Sequence, residues 1–436
     1  MKQSMNRAKA LPNVWRFPMS RTSLVVSALL SFSVLEASAT ALASTQQDPA
    51  PQSPVVVGGG SSLAAPVYAA DISAFGPNHI YAVTGSGVGK ASLLNSDPNW
   101  WKPGESSSFN AAYIPPRTDT IVHYAGSDSV LSSSEIGTYN ANRQQKEGNL
   151  LQIPSMGVAI GIPFKKDGVT SLTLNDHQLC GVFSGKITDW SQITSASGPI
   201  TVVYDRDSSG TTEIFTRHLN AVCWTGASGN SNVAFVTSTK FEDSFPTGYM
   251  PPNFVGVTLS EAMRDTVAAG NAIGYLSPPY ISTKSAPLST VATQNLQAAS
   301  LLNSNNGIAY QPWPVHTDTA LSNFTLPTLS SNLADPNTWA LTIANPTTGY
   351  PIVGLTYLDH VQCYADATVL SKIQTFLDRH TTYSGTNSNA GRILGNGFAR
   401  LPSGLVTLIR DNLLNNVNGK NANIGNATAC AGKAGR

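Results

Sequence analysis

Residues 205–213 read Asp-Arg-Asp-Ser-Ser-Gly-Thr-Thr-Glu and lie between two apolar patterns of different period. Before them, residues 200–204 form an apolar run with β-branched side chains, which predicts a buried strand. After them, the apolar residues at positions 214, 215, 219 and 222 have the spacing of one helix face. The segment is therefore predicted to be a strand, a turn and a helix, with glycine, hydroxyl groups and Arg206 at the start of the helix.

This helix start has the chemistry of an anion site. The first turn of a helix has unpaired N–H groups and the positive end of the helix dipole. Gly210 would let the backbone approach a ligand closely, and Ser209 and Thr211 would add hydroxyl donors. The same residues also suit an ordinary cap, with Ser209 or Gly210 at the N-cap and Glu213 in the first turn. Taken alone, the segment is compatible with both interpretations.

Three further turns follow predicted strands and carry the same residue types. They are residues 61–63, 85–87 and 126–129, each rich in Gly or Ser. Strands that alternate with helices predict an α/β fold, in which ligands bind beyond the carboxyl ends of the strands. We therefore expect these turns and residues 206–211 to converge on one oxyanion. A P-loop is not predicted, because Thr84 and Ala91 occupy the positions of its first glycine and its final hydroxyl residue.

Asp128, in the third of these turns, restricts the kind of anion that would fit. An ionised carboxylate only accepts hydrogen bonds, so it repels an anion unless that anion has a proton to donate. Monohydrogen phosphate has such a proton and sulfate does not. The alternative is an aspartate that stabilises the turn itself, which is a frequent role for Asp after a strand.

The N-terminus has the features of a signal peptide. A basic region ends at Arg21, an apolar stretch covers residues 24–35, and small residues follow up to Ala43. The apolar stretch is shorter than the roughly 20 residues that span a bilayer. We expect cleavage after Ala43 and a periplasmic or secreted protein with no membrane span.

The composition excludes some partners. Residues 1–43 carry five basic residues and one acidic residue, so without them the formal charge changes from +1 to −3. A chain with this charge and no basic run gives no support to nucleic-acid binding.

Four cysteines, at positions 180, 223, 363 and 430, fit an oxidising compartment. Three pairings are possible, and we predict Cys180–Cys223 and Cys363–Cys430 because each pair encloses a contiguous block. No C-x-x-C or H-x-x-x-H spacing occurs, which disfavours a zinc site, and we expect neither a metal nor a cofactor.

Further strands and helices are predicted along the chain. We expect strands at residues 55–57, 80–83, 121–125, 157–164, 272–276 and 350–358, and helices from residue 64 and at 174–183, 258–269 and 367–380. Ser132 and Glu135 have the spacing of a capping box. We expect a surface excursion at residues 100–117, long loops over residues 282–345, and Trp190 in the core.

Seven longer motifs together resemble the DING proteins, a branch of the phosphate-binding proteins that serve ABC transporters. The motifs are GGGSSLAAPVY, GSGVGKASLL, HYAGSDSVLSSSE, LCGVFSGKITDW, VVYDRDSSGTTEIFTRHLNAVC, YPIVGLTY and CYADAT. They are spread over nearly all of the chain after the signal peptide. The tetrapeptide that gives the family its name is replaced here by Val56-Val57-Gly58-Gly59. The resemblance also supports the disulfide pairing chosen above.

The resemblance implies an α/β, two-lobed periplasmic binding protein of type II, with mixed sheets flanked by helices. Its chain would cross the hinge twice, near residues 153–157 and 350–354. After the signal peptide (1–43) and a flexible leader (44–54), lobe I would comprise residues 55–153 and 349–436. Lobe II would comprise residues 154–348. We expect a monomer.

The same resemblance implies phosphate ligands in the four turns. They are Ser62, Leu63, Ser86, Asp128, Ser209, Gly210 and Thr211. The family also has an arginine four residues before the serine that matches Ser209, and here that position is Asp205. We expect the loop to shift so that Arg206 reaches the anion; the alternatives are a reduced affinity or a different ligand.

The predicted function is high-affinity binding of inorganic phosphate, as monohydrogen phosphate, in an interlobe cleft for uptake or scavenging. An ABC transporter permease is the partner that the resemblance implies. One alternative is a secreted phosphatase acting on phosphomonoesters, since some members of the family are associated with this activity. Another is an adhesin-like protein that kept the fold and lost the ligand.

Overall fold

The computed structural model describes residues 56–73, 79–97, 121–224, 230, 232–246, 249–386 and 388–436. The predicted signal peptide, the leader at 44–54 and the surface excursion at 100–117 lie outside the described residues. Within the described ranges, no helix is both long enough and apolar enough to cross a membrane.

Short strands and helices alternate along the chain. The strands are β1 (Val56–Gly60), β2 (His79–Val83), β3 (Tyr124–Ser127), β4 (Leu150–Ala159), β5 (Pro163–Lys165), β6 (Thr173–Leu174), β7 (Thr201–Asp205), β8 (Phe254–Val257), β9 (Ala272–Ile273), β10 (Gln297–Ala298), β11 (Ser300–Asn303), β12 (Ile308–Tyr310) and β13 (Val353–Val361). The α-helices are α1 (Ala65–Ile72), α2 (Ser86–Asn95), α3 (Ser133–Asn142), α4 (Gln144–Glu147), α5 (Asp176–Phe183), α6 (Gly210–Val222), α7 (Leu259–Ala268), α8 (Pro278–Ile281), α9 (Pro314–Leu321), α10 (Ala367–His380), α11 (Ala390–Gly395) and α12 (Ser403–Ile409). Single turns of 3₁₀-helix occur at Trp190–Gln192, Phe241–Ser244 and Pro336–Trp339, and a π-helical turn at Arg410–Leu414.

The first sheet has five strands in the order β2-β1-β3-β13-β4. β1 pairs in parallel with β2 and β3, whereas β13 is antiparallel to β3 and β4. All residues of these five strands are buried, which is typical of strands covered on both faces. The turns after β1, β2 and β3 therefore lie at one edge of the sheet.

The second sheet has the order β10-β5-β9-β7-β8, and its strand β7 is parallel to both of its neighbours, β8 and β9. A third, three-stranded sheet has the order β12-β11-β6. The chain leaves the first sheet after Ala159 and returns to it at Val353. This mixed α/β arrangement with helices flanking the sheets is the predicted fold class.

Helix α6 packs its apolar face between the two sheets. Phe215 stacks on Tyr275, which follows β9, with 4.6 Å between the ring centroids. On the other side, a methyl group added at Gly354 of β13 would lie only 2.7 Å from Ile214, so the helix contacts the first sheet closely. This packing fixes the N-terminus of α6 against the turns of the first sheet.

The predictions of local structure are most accurate where a segment shows a single clear sequence pattern. Helix α6 and the capping box of Ser132 and Glu135 are confirmed, and Trp190 is fully buried in the core. The strand predicted at 157–164 is wrong in its bounds, because β4 already begins at Leu150 and β5 belongs to the other sheet. Pro154 is tolerated within β4 because the pairing with β13 shifts between Thr356 and Tyr357.

The long loops predicted over residues 282–345 are present at 282–296 and 322–335, but the prediction is wrong for the residues between them. This region contains β10, β11, β12 and the helix α9. These elements are only two to eight residues long, so their apolar period is too short to be recognised in the sequence.

Both predicted disulfides are present. Cys180 and Cys223 have Cα atoms 5.5 Å apart, and Cys363 and Cys430 have Cα atoms 5.6 Å apart. The first bridge joins helices α5 and α6, and the second joins the end of the first sheet to the C-terminal segment. In the chain-entropy model each stabilises the fold by about 4 kcal/mol, since the closed loops are long.

Candidate functional site

Asp128 is the residue on which the turns of the first sheet converge. The hydroxyl oxygen of Ser61 lies 2.7 Å from each carboxylate oxygen of Asp128, and that of Ser86 lies 3.2 Å from one of them. The backbone N–H of Asp128 donates in turn to the Ser86 hydroxyl at 3.1 Å. All three side chains are buried. We call Ser61, Ser86 and Asp128 the serine–aspartate cluster.

The start of helix α6 lies directly against this cluster. A methyl group added at Gly210 would be 2.6 Å from the backbone carbon and the Cβ of Asp128 and 2.6 Å from the nitrogen of Ser129. The N–H of Gly87 donates to the carbonyl of Ser208 at 3.3 Å. The structure therefore brings together residues of all four predicted turns, and glycine at position 210 makes the approach possible.

Ser62 and its neighbours connect the first turn to two other helices. The Ser62 hydroxyl lies 3.1 Å from that of Ser260 in α7, and the Tyr280 hydroxyl donates to the Ser62 carbonyl at 2.7 Å. Leu63 and Thr211 are also buried. Ser209 is the N-cap of α6, where its hydroxyl accepts from the N–H of Thr212. The predicted ligands Ser62, Leu63, Ser86, Asp128, Ser209, Gly210 and Thr211 thus lie in the turns that meet.

Arg206 is not brought into this arrangement. Its side chain is exposed and lies along Gly256 of β8, the edge strand of the second sheet. β7 ends at Asp205, so Arg206 is the first residue beyond the strand. Asp205, the last residue of β7, is buried instead. The expected approach of Arg206 to the cluster is therefore absent from this geometry.

Two buried carboxyl groups have strongly raised pKa values. Burial raises the pKa of Asp128 from 3.8 to about 7, although hydrogen bonds from Ser61 and Ser86 act in the opposite direction. Burial also raises the pKa of Asp205 from 3.8 to about 7, while the N–H of Asp207 lowers it. Among the described residues, no Lys or Arg donates a hydrogen bond to either carboxylate. The site consequently holds acceptors and neutral donors without a paired cation.

A surface depression opens beside the serine–aspartate cluster. It is lined by residues from segments that connect the strands of the first sheet and by residues from segments that connect those of the second sheet. Lys90 on one side forms an ion pair with Glu135, at 3.1 Å, and Glu213 on the other side forms an ion pair with Arg217. Gly87 and Ser208, which contact each other at the cluster, also line this depression. The charges at its rim are thus paired, and the depression leads from solvent to the contact between the turns.

A second polar network lies deep in the first sheet. The Asp71 carboxylate lies 2.8 Å from Nδ1 of His380, whose Nε2 lies 2.7 Å from the Ser155 hydroxyl. This connectivity is that of a catalytic Ser-His-Asp triad, but each of the three residues is only 1% exposed. A substrate therefore has no access to Ser155, and the network joins α1, β4 and α10 as a structural element.

Within the described ranges, no group of three or more His, Cys, Asp or Glu residues is arranged to hold a metal ion.

Sequence reasoning missed Ser61, Ser260 and Tyr280 as parts of the site. Ser61 stands in the same turn as the predicted ligands Ser62 and Leu63, but it is not itself a predicted ligand. Nothing in the local sequence distinguishes the two serines, because the direction of each side chain depends on the twist of the turn. Ser260 and Tyr280 lie about 200 residues away in the chain and become visible only through the contacts at 3.1 and 2.7 Å.

Proteins similar in sequence show the family to which this chain belongs. A family model described as the PBP superfamily domain matches residues 37–326. "Alkaline phosphatase L" of Pseudomonas aeruginosa is 37% identical over 385 residues, which are 87% of this chain and 93% of that protein. A "Phosphate-binding protein" from an unknown prokaryotic organism is 35% identical over 398 residues, covering 86% and 98% of the two chains.

Solved structures agree with these sequence matches. The ancestral soluble variant of the Human Phosphate Binding Protein (HPBP) superposes with a TM-score of 0.73 at 34% identity, covering 88% of this chain and 99% of that one. A high affinity periplasmic phosphate-binding protein (PfluDING), determined with bound phosphate, gives a TM-score of 0.72 at 34% identity with the same coverage. The chain therefore belongs to the PBP superfamily. Its resemblance to the DING-type phosphate-binding proteins, expected from the motifs, is confirmed by these relatives.

Proposed function

We propose that this protein binds inorganic phosphate in a protonated form, with high affinity, between the turns that meet at Asp128. The observation that supports this most directly is the position of the buried Asp128 carboxylate against the N-terminus of α6. The helix start supplies N–H groups and a positive dipole end to the anion, and Asp128 accepts a proton that only a protonated oxyanion offers. The PfluDING structure, described as bound with phosphate, supports the same ligand.

The proposed ligands act through neutral donors. Ser86, Ser209 and Thr211 would donate through their hydroxyls, and Leu63 and Gly210 through backbone N–H groups at the ends of the turns. The complete proposed set is Ser62, Leu63, Ser86, Asp128, Ser209, Gly210 and Thr211, with Ser61 holding Asp128. Arg206 would join this set only after a rearrangement of its loop, since it lies at the surface.

The domain division and the export route are parts of the same proposal. Lobe I (55–153 and 349–436) would carry the first sheet and lobe II (154–348) the second, with the anion between them. The protein would act in the periplasm or outside the cell after cleavage at Ala43, and an ABC transporter permease would be its partner. The two disulfides support an extracellular or periplasmic location, because such bonds persist in oxidising compartments.

The test is calorimetric titration of residues 44–436, freed of bound anion, with phosphate, arsenate and sulfate. We expect phosphate and arsenate to bind and sulfate to fail, because sulfate lacks the proton that Asp128 accepts. Ser86→Ala is the matched variant and should weaken phosphate binding by about tenfold, the effect of one lost hydrogen bond of roughly 1.4 kcal/mol. Absence of binding by all three anions would contradict the proposal and leave the adhesin-like interpretation.

Hydrolysis of phosphomonoesters is the second candidate, since a relative 37% identical to this chain is called Alkaline phosphatase L. Release of phosphate from p-nitrophenyl phosphate by the purified protein would be measured with the Asp128→Asn variant as control. Turnover by the wild type that disappears in this variant would favour the enzyme. Equal turnover in both proteins would indicate a contaminating phosphatase.

A further inference from the structure

The turn after β1 holds a buried backbone donor that is available to a ligand. Leu63 is only 1% exposed, and among the described residues none accepts a hydrogen bond from its N–H. Buried N–H groups in folded proteins are almost always paired, so this one calls for an acceptor. The adjacent N–H, that of Ala64, donates at 3.0 Å to the Ser61 hydroxyl, which contacts Asp128. The Leu63 N–H therefore belongs to a helix start beside the serine–aspartate cluster.

The carbonyl group of the same peptide unit is held by a distant tyrosine. The Tyr280 hydroxyl, from helix α8, donates to the Ser62 carbonyl at 2.7 Å across 218 residues of the chain. Tyr280 is fully buried. The Ser62 carbonyl and the Leu63 N–H form one planar peptide unit, in which the two groups of a trans peptide point in opposite directions. A hydrogen bond that fixes the carbonyl therefore also fixes the direction of the N–H.

A second tyrosine holds the preceding peptide unit in the same way. The Tyr81 hydroxyl, from β2 of the first sheet, donates to the Ser61 carbonyl at 2.9 Å. The N–H of this unit is that of Ser62, and none of the described residues accepts a hydrogen bond from it. The two tyrosines thus hold successive peptide units of one turn, Tyr81 from within the first sheet and Tyr280 from α8.

Resting on the proposed function, we infer that Tyr280 is a positioning residue of the phosphate site, which directs the Leu63 N–H at the anion through the Ser62 carbonyl. Tyr280 does not itself contact the anion. A hydrogen bond accepted by the carbonyl polarises the peptide unit, so it also makes the N–H of that unit a stronger donor. Loss of the Tyr280 hydroxyl should therefore weaken the hydrogen bond between the Leu63 N–H and the phosphate.

Ser260 supports the same turn through its side chain. Its hydroxyl oxygen lies 3.1 Å from that of Ser62, and both side chains are buried. A hydroxyl donates one hydrogen bond and accepts two, so a bond donated by Ser260 leaves the Ser62 proton free for the anion. Ser260 and Tyr280 both lie in the proposed lobe II (154–348), so their contacts also join that lobe to the turn after β1. Because release of the anion by opening of the lobes would break these contacts, they should slow its dissociation.

The test is the affinity of purified Tyr280→Phe for phosphate, measured by calorimetry against the wild type. Phenylalanine keeps the aromatic ring and removes only the hydroxyl donor. We expect binding to weaken by about tenfold, the effect of one hydrogen bond. In stopped-flow measurements the dissociation rate should rise and the association rate should stay unchanged. Ser260→Ala should change the affinity and the dissociation rate in the same direction.

Tyr139→Phe is the matched control. The Tyr139 hydroxyl, in helix α3, is buried and donates to the Gly148 carbonyl at 3.0 Å. Both variants lose a buried hydrogen bond to a backbone carbonyl, so both should unfold at a lower urea concentration than the wild type. Only Tyr280→Phe should lose affinity. Wild-type affinity in folded Tyr280→Phe, or an equal loss of affinity in the two variants, would overturn the inference.

The amide proton resonance of Leu63, observed in protein labelled with ¹⁵N-leucine, gives a second readout that needs only the wild type. Phosphate should move this resonance downfield, because a hydrogen bond to a phosphate oxygen deshields the amide proton. The same titration of Tyr280→Phe should give a smaller shift. A resonance that phosphate leaves in place, while calorimetry reports phosphate binding, would overturn the inference and leave the proposed function intact. Absence of phosphate binding by the wild type would overturn both.

Discussion

The hydroxyl of Ser61 lies 2.7 Å from both carboxylate oxygens of Asp128, although 67 residues separate them in the chain. The same hydroxyl accepts from the N–H of Ala64 at 3.0 Å, at the start of helix α1. Ser61 thus connects a helix N-terminus to a buried acid and holds the carboxylate in one orientation. In the proposed function, this orientation lets Asp128 accept the proton of an incoming anion.

Replacement of Asp128 by Asn should relax the discrimination against sulfate. The amide removes the negative charge and offers N–H donors where the carboxylate only accepts. We expect sulfate to compete with phosphate at least about tenfold better in Asp128→Asn than in the wild type. Competition calorimetry measures this directly, and equal exclusion of sulfate by both proteins would contradict the role of Asp128.

Gly210→Ala should weaken phosphate binding by at least about tenfold. The added methyl group would lie 2.6 Å from backbone and Cβ atoms of Asp128, so helix α6 would have to move away from the cluster. Helix propensity alone would stabilise this variant by about 1 kcal/mol, so a loss of affinity would come from the contact.

Gly137→Ala is the control for this glycine. Gly137 lies in helix α3, where an added methyl group meets no atom within 4 Å. This variant should keep wild-type affinity and unfold at a slightly higher urea concentration. If Gly210→Ala also kept wild-type affinity in calorimetry, the close approach of α6 to Asp128 would have no part in binding.

Asp205→Asn should stabilise the unliganded fold at alkaline pH. The folded pKa of Asp205, about 7, is raised above its ordinary value of 3.8, so ionisation between these values favours the unfolded chain. The wild type should therefore lose up to about 4 kcal/mol from this group as the pH rises from 4 to 8, and the amide variant should not. Urea unfolding at the two pH values measures the difference. If the free energies of unfolding of the wild type and Asp205→Asn differed by the same amount at both pH values, the raised pKa of Asp205 would be contradicted.

Asp71→Ala should destabilise the fold without changing the ligand preference of the folded protein. The Asp71 carboxylate accepts from Asn389 and His380 in a fully buried network, and its removal leaves these groups unpaired. We expect the free energy of unfolding, measured with urea, to fall by about 3 kcal/mol. Asp378→Ala breaks an ion pair with Arg410 in which the aspartate side chain is 61% exposed. This control should cost less than about 1 kcal/mol, and equal losses in both variants would contradict the structural role of the buried network.

The sequence by itself determined the strand–turn–helix units, the capping box of Ser132 and Glu135 and the residue types in the four turns, because these depend on short-range periodicity and on glycine and hydroxyl chemistry. It also determined the family, through motifs spread over the chain, and the cysteine pairs that enclose contiguous blocks. The sequence did not predict β10, β11, β12 and α9, which lie in the weakly periodic region at 282–345.

The tertiary structure alone decided which side chains reach the site. Asp205 is the last residue of β7 and is buried, whereas Arg206 is the first residue beyond the strand and is exposed. Ser61, rather than its neighbour Ser62, contacts Asp128, because the twist of the turn after β1 sets the direction of each hydroxyl. These directions depend on pairing between distant segments, which no local pattern encodes.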